Sequence, residues 1–153
     1  MQKLIFSTVV VLIIIGAGIF FISNQKEMPL IPDSHANLIK VFSPFPDEVV
    51  ASPLTIQGVA RGNWYFEASF PVRLFDATGK EMAVIPAQAQ GEWMTTDFVP
   101  FSVTLNFITP TTATGTLVLE KDNPSGEPQF DDSISIPVRF SPWKNNLPAM
   151  LSA

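Results

Sequence analysis

A chain of 153 residues without cysteine has room for one domain of ordinary size and excludes disulfides and thiolate metal sites. Its net charge is −5, and the nine cations are scattered rather than clustered, which excludes a nucleic-acid partner. Fourteen prolines and eight glycines favour turns over long helices, while an apolar fraction of 46% is enough for a packed core.

Met1-Gln-Lys3 is followed by Leu4 to Ile22 without a charge. As a helix this run spans roughly 28 Å, close to the ~30 Å hydrocarbon core of a bilayer. Residues 1–23 are therefore expected to be an uncleaved transmembrane anchor, with the membrane contacted through residues 4–22. A cleaved signal peptide is the competing reading, but it calls for a shorter apolar run and a small-x-small cleavage site. Lys3 before the span favours a cytoplasmic N-terminus and an extracytoplasmic remainder. Residues 24–37 have no period and contain Pro29 and Pro32, which fits an extended linker. His35, the only histidine, is expected to be solvated there.

Residues 38–142 alternate. Leu38 to Phe42 opens the series and is stopped by Ser43-Pro-Phe-Pro-Asp47. In the second strand Leu54, Ile56, Gly58 and Ala60 share a face. After a turn at Arg61-Gly62-Asn63, Phe66, Ala68, Phe70, Val72 and Leu74 do the same, and Asp76-Ala-Thr-Gly79 ends that strand. Lys80 to Gln88 is a fourth strand weakened by Pro86. Phe101, Val103, Leu105 and Phe107 mark the fifth, Gly115 to Lys121 the sixth, and Ile134, Ile136, Val138 and Phe140 the seventh. No segment after Ile22 carries a helical stripe. About seven short alternating strands predict an all-β fold, an immunoglobulin-like antiparallel sandwich without a disulfide, followed by a tail at 143–153.

Five pieces occur in order: Ser52-Pro-Leu, Gly58-Val-Ala, Trp64-Tyr-Phe-Glu67, Pro100-Phe-Ser102 and Asp122-Asn-Pro-Ser-Gly126. Together they resemble the immunoglobulin-like domain of bacterial spore germination, the second GerM-associated domain, from about Leu38 to Phe140. The resemblance implies a bacterial, extracytoplasmic, non-enzymatic module that is often tethered to the membrane. It implies no ligand.

Two stretches offer a ligand or partner surface. Trp64, Phe66 and Glu67 form an aromatic corner with one carboxylate. It fits a sugar stacked on Trp64, or a core-capping indole with Glu67 tying down its turn or pairing with Arg61 or Arg73. Asp122, Asn123 and Ser125 open the acidic loop 122–132, which has oxygen ligands suited to calcium but not the spacing of an EF-hand; Asn-Pro-Ser-Gly is also a good turn. No cofactor or metal is expected. With the lone histidine in the linker, no catalytic set assembles, so no enzyme is expected either. The leading expectation is a membrane-anchored interaction module that holds an envelope protein, or a second copy, through a sheet face or an exposed edge strand. The alternative is a peptidoglycan or carbohydrate binder using Trp64 and Glu67.

Overall fold

A computed structural model describes residues 35–141. The expected anchor 1–23, most of the linker and the tail 143–153 lie outside the described residues. Eight strands follow in order: β1 (Ile39–Ser43), β2 (Glu48–Val50), β3 (Leu54–Arg61), β4 (Ser69–Asp76), β5 (Glu81–Gln88), β6 (Phe98–Leu105), β7 (Thr114–Glu120) and β8 (Ser133–Phe140). They form a three-stranded sheet β1-β3-β6 and a five-stranded sheet β2-β8-β7-β4-β5. Among the described residues, helical structure is limited to short 3₁₀ turns such as Gly62–Trp64 and Pro128–Phe130. No helix among the described residues is long and apolar enough to cross a membrane.

Period-two alternation explains most of this. Leu54, Ile56, Gly58 and Ala60 of β3 face inward, as do Phe70, Val72 and Leu74 of β4 and Ile134, Ile136, Val138 and Phe140 of β8. The two inner faces meet through aromatic rings. Phe70 of β4 packs edge-on against Phe101 of β6 at 5.0 Å between centroids, and against Tyr65 at 5.1 Å. Each fully buried side chain of this size contributes roughly 1.5–3 kcal/mol of transfer free energy. Glycine sets the tightest approaches. A Cβ at Gly58 would meet the Phe101 ring at 2.6 Å, and one at Gly115 would meet the Phe140 ring at 2.6 Å.

The expectation of a purely antiparallel, seven-stranded sandwich needs three corrections. The stop at Ser43–Asp47 leads into β2, which pairs with β8 in parallel (Val49 opposite Arg139). Three residues are too few to show a period, so only the partner strand defines β2. Secondly, β4 begins at Ser69 rather than Phe66. Glu67 and Ala68 have φ of 49° and 63°, and Phe66 and Ser69 exchange two backbone hydrogen bonds of 3.0 Å around them. These two residues thus form a tight turn, and Phe66 faces solvent instead of the core. Thirdly, β6 spans Phe98–Leu105, three residues earlier at its start than the alternation from Phe101 indicated. Pro86 does not break β5, because it stands opposite Pro71 on the outermost strand of its sheet, where proline is tolerated.

All four sheet margins are short, bulged or interrupted by proline. β1 has five residues and a register shift, β2 has three, and β5 and β6 contain Pro86 and Pro100. Such edges are poor templates for another strand.

Strand polarity gives the sandwich two unlike ends. The approach at 35–38 and the connections 62–68, 89–97 and 121–132 meet at one, held by Arg61 donating to the carbonyls of Asn37 (2.9 Å) and Thr96 (2.8 Å) and by Asp122 N–H donating to the Trp64 carbonyl (3.0 Å). The connections 44–53, 77–80 and 106–113 and the last described residue, Ser141, occupy the other.

Candidate functional site

The end that receives residue 35 gathers the candidate residues, though not in the roles expected of them. The 3₁₀ turn at Gly62–Trp64 rotates Trp64 and Tyr65 inward and leaves Phe66 outside. Trp64 is 0% exposed, so its indole cannot stack on a sugar; it is a core residue. Its Nε1–H, which a half-buried cap would keep near water, has no hydrogen-bond partner among the described residues. Tyr65 donates its hydroxyl to the Val99 carbonyl at 2.9 Å, and burial pushes the phenol up to about 12.

Glu67 sits at the exposed tip of its turn. Neither expected cation reaches it. Arg73 bridges Glu81 (2.7 Å) and Glu120 (2.9 Å), and Arg61 lies over the Phe98 ring at 4.2 Å. The Glu67 charge is instead felt by Asp122, whose pKa is raised first by burial and then by Glu67. The two stretches singled out in the sequence are therefore neighbours in space.

The loop after β7 is organised by Asn123. Its amide donates to the Glu127 carbonyl (2.9 Å) and to Asp131 Oδ1 (2.7 Å), while its Oδ1 accepts from the Ser125 N–H (3.2 Å) and hydroxyl (2.6 Å). Gly126, at φ +66°, completes the turn. Ser125 and Asn123 thus work on the loop itself. Among the described residues no cluster of acidic, histidine or cysteine side chains is placed to hold a metal ion. The loop closes an open groove of about 540 Å³ lined by Glu120, Asp122, Asn123, Asp131 and Asp132, with Lys121 and Pro71 beside them.

His35 is not a solvated linker residue. Its Nε2 lies 2.7 Å from Asp132 Oδ1 and its ring meets Trp64 edge-on at 6.4 Å. The only histidine thereby ties the chain's approach to the acidic loop, across 97 positions of sequence. No local signal could have indicated that contact. Exposed apolar tips surround the same end: Phe66 at 39%, Phe130 at 51% and Met94 at 74%.

Residues 38–127 match the family described as the immunoglobulin-like domain of bacterial spore germination. The chain belongs to this family. The matched segment runs from the approach to β1 into the acidic loop, so it contains all six candidate residues, Trp64 to Ser125, and stops short of β8. No curated protein and no solved structure matches the chain.

Proposed function

We propose that the protein is a membrane-anchored, extracytoplasmic interaction module of the bacterial cell envelope, with a place in spore germination. It acts by binding a protein partner rather than by catalysis. The observation that carries this reading is the composition of the loop end: Phe66, Met94 and Phe130 project among Glu67, Asp122, Asp131 and Asp132. Apolar tips set in a field of carboxylates suit a partner that presents cations around an apolar patch, since charge complementarity steers and orients such encounters. The proline-interrupted margins argue against strand addition, so the loops take over the role expected of an edge. The carbohydrate reading built on Trp64 loses its platform, because that ring is in the core.

Two measurements test the reading. A photo-crosslinker at position 66 of the full chain in its own membranes is expected to give one discrete protein adduct. Glu67→Lys should abolish it without lowering the melting temperature, and 0.5 M salt should weaken it. Adducts unaffected by the charge reversal would overturn the loop-end site. Alkaline extraction tests the anchor: release of the intact chain from membranes would sink that part of the proposal.

A further inference from the structure

The opposite end of the sandwich holds a second site, and its chemistry is of the other sign. An open groove of about 630 Å³ lies between the β2–β8 margin and the segment 109–113, a size within the range of small-ligand sites. Its walls are mainly apolar, with Val49, half exposed on β2, and Pro110 on either side and Phe140 beneath. Thr109 and Thr111 add hydroxyls, and the residues lining the groove include no carboxylate. That is unusual ground on a chain of net charge −5.

Arg139 forms part of the same wall. Alternation along β8 turns it outward, opposite Val49 on one side and Thr114 on the other. Its Nε–H donates to the Asp47 carbonyl at 2.8 Å, which fixes the plane of the guanidinium. Unlike Arg73, it has no carboxylate partner among the described residues. Glu48, the nearest acidic residue in sequence on β2, has its carboxylate engaged with the Phe45 N–H at 2.7 Å. The terminal N–H groups of Arg139 are therefore oriented and uncommitted, in a fork that matches a carboxylate.

We propose that this groove binds an extended peptide segment bearing a carboxylate, with the carboxylate on Arg139 and an apolar side chain against Val49 and Pro110. Charge complementarity selects the anionic group, and the aliphatic wall selects what flanks it. A sugar is disfavoured because the one ring in the lining, Phe140, is buried and packs edge-on against Phe107 at 5.8 Å, leaving no platform for stacking. The three-residue β2 is too short to recruit a strand by itself, so selectivity rests on Arg139 and the wall. A free C-terminus and an Asp or Glu side chain present the same group.

The test is an NMR titration of the full chain in detergent with three probes: acetyl-Ala-Val-Leu as the free acid, the same peptide as its C-terminal amide, and acetyl-Ala-Glu-Val-Leu amide. Saturable shifts confined to Val49 and the 109–113 segment are expected with the free acid, the Glu-containing amide or both. The first outcome assigns a terminal carboxylate and the second a side-chain one. The plain amide should bind at least about tenfold more weakly, as should all probes to Arg139→Gln, since a charge-assisted hydrogen bond carries most of the affinity. Arg139→Lys, which keeps the charge but loses the fork, should fall between. Equal binding of acid and amide, no saturable shift with any probe, or binding seen only after deletion of 142–153 would overturn the proposal; the last would make the chain's own continuation the occupant. Crosslinking at position 66 is independent of every one of these results.

Discussion

The two ends of the sandwich are built from similar connections, yet they spend their polar groups differently. At the loop end, carboxylates crowd together and are managed locally: Asn123 holds Asp131, His35 holds Asp132, and Asp122 is raised by burial and then by the charge of Glu67. At the far end each group ties a connection: the Ser52 Oγ accepts from the Phe107 N–H at 3.0 Å, the Thr112 hydroxyl donates to the Thr114 carbonyl at 3.1 Å, and the Glu48 and Asp76 carboxylates accept from the Phe45 and Thr78 N–H groups at 2.7 and 2.8 Å. The cation there is left for something else. One scaffold can thus present two chemically unlike surfaces because the sheets between them carry the stability.

The sharpest way to break this contrast is to swap a core residue for a surface one only two positions away. Trp64→Ala should cost about 3–5 kcal/mol in denaturant unfolding, whereas Phe66→Ala should stay within roughly 0.5 kcal/mol. The reverse order would mean that the indole and not the phenyl ring faces solvent. Next in size, Gly58→Ala and Gly115→Ala test whether both sheets are closed as tightly as their Phe101 and Phe140 contacts indicate. Each should cost at least about 1–3 kcal/mol, because the new Cβ meets a backbone carbonyl of the adjacent strand (that of Lys40 or of Phe75) as well as the ring, and both have to shift. A loss at only one would localise the constraint to that sheet.

Tyr65→Phe removes the hydrogen bond to Val99 and should cost about 1 kcal/mol. The phenol carries its own pH signature. The folded state holds the proton up to about 12 against the usual 10, so its stabilising effect is complete below pH 10 and disappears between pH 10 and 12. Ultraviolet titration beside base-induced unfolding would show it. The smallest effect has the opposite charge logic. Asp122 is raised, so its ionisation costs the folded state more than the unfolded one. Asp122→Asn should therefore raise the melting temperature at pH 7, and the gain should fade as the pH drops through the ordinary carboxylate range. Glu67→Gln should shrink that gain, which would confirm that the two carboxylates sense each other.

The strands β3, β7 and β8 and the inner half of β4 were legible because alternation over seven or eight residues is hard to produce otherwise, whereas β5 showed only as an apolar run with Pro86 in it. β2 was not, since Glu48, Val49 and Val50 owe their state to the register with β8. The turn at Glu67–Ala68 was also missed. Left-handed pairs in two-residue hairpins usually announce themselves as Asn-Gly or Asp-Gly, and here neither residue is glycine. That one misplacement carried the error at the site: continuing the strand back to Phe66 put the phenyl ring inside and left Trp64 free for a ligand. The proximity of Glu67 to Asp122, the His35–Asp132 contact and the lack of a carboxylate partner for Arg139 among the described residues are facts of tertiary structure, with separations no window along the chain can span. The far-end groove had no sequence signal beyond the outward phase of Arg139 on its strand.

The chain comes in at one end of the sandwich and goes out at the other, and its outermost strand β2 runs parallel to the last strand β8. Tension between residue 35 and Ser141 acts first on β1 against β3 and, once β1 yields, pulls β2 and β8 in opposite directions along their common axis. The ladder between them is loaded in shear, so its bonds must fail together instead of unzipping one at a time. A module with this layout resists stretching along that axis better than one whose terminal strands unzip.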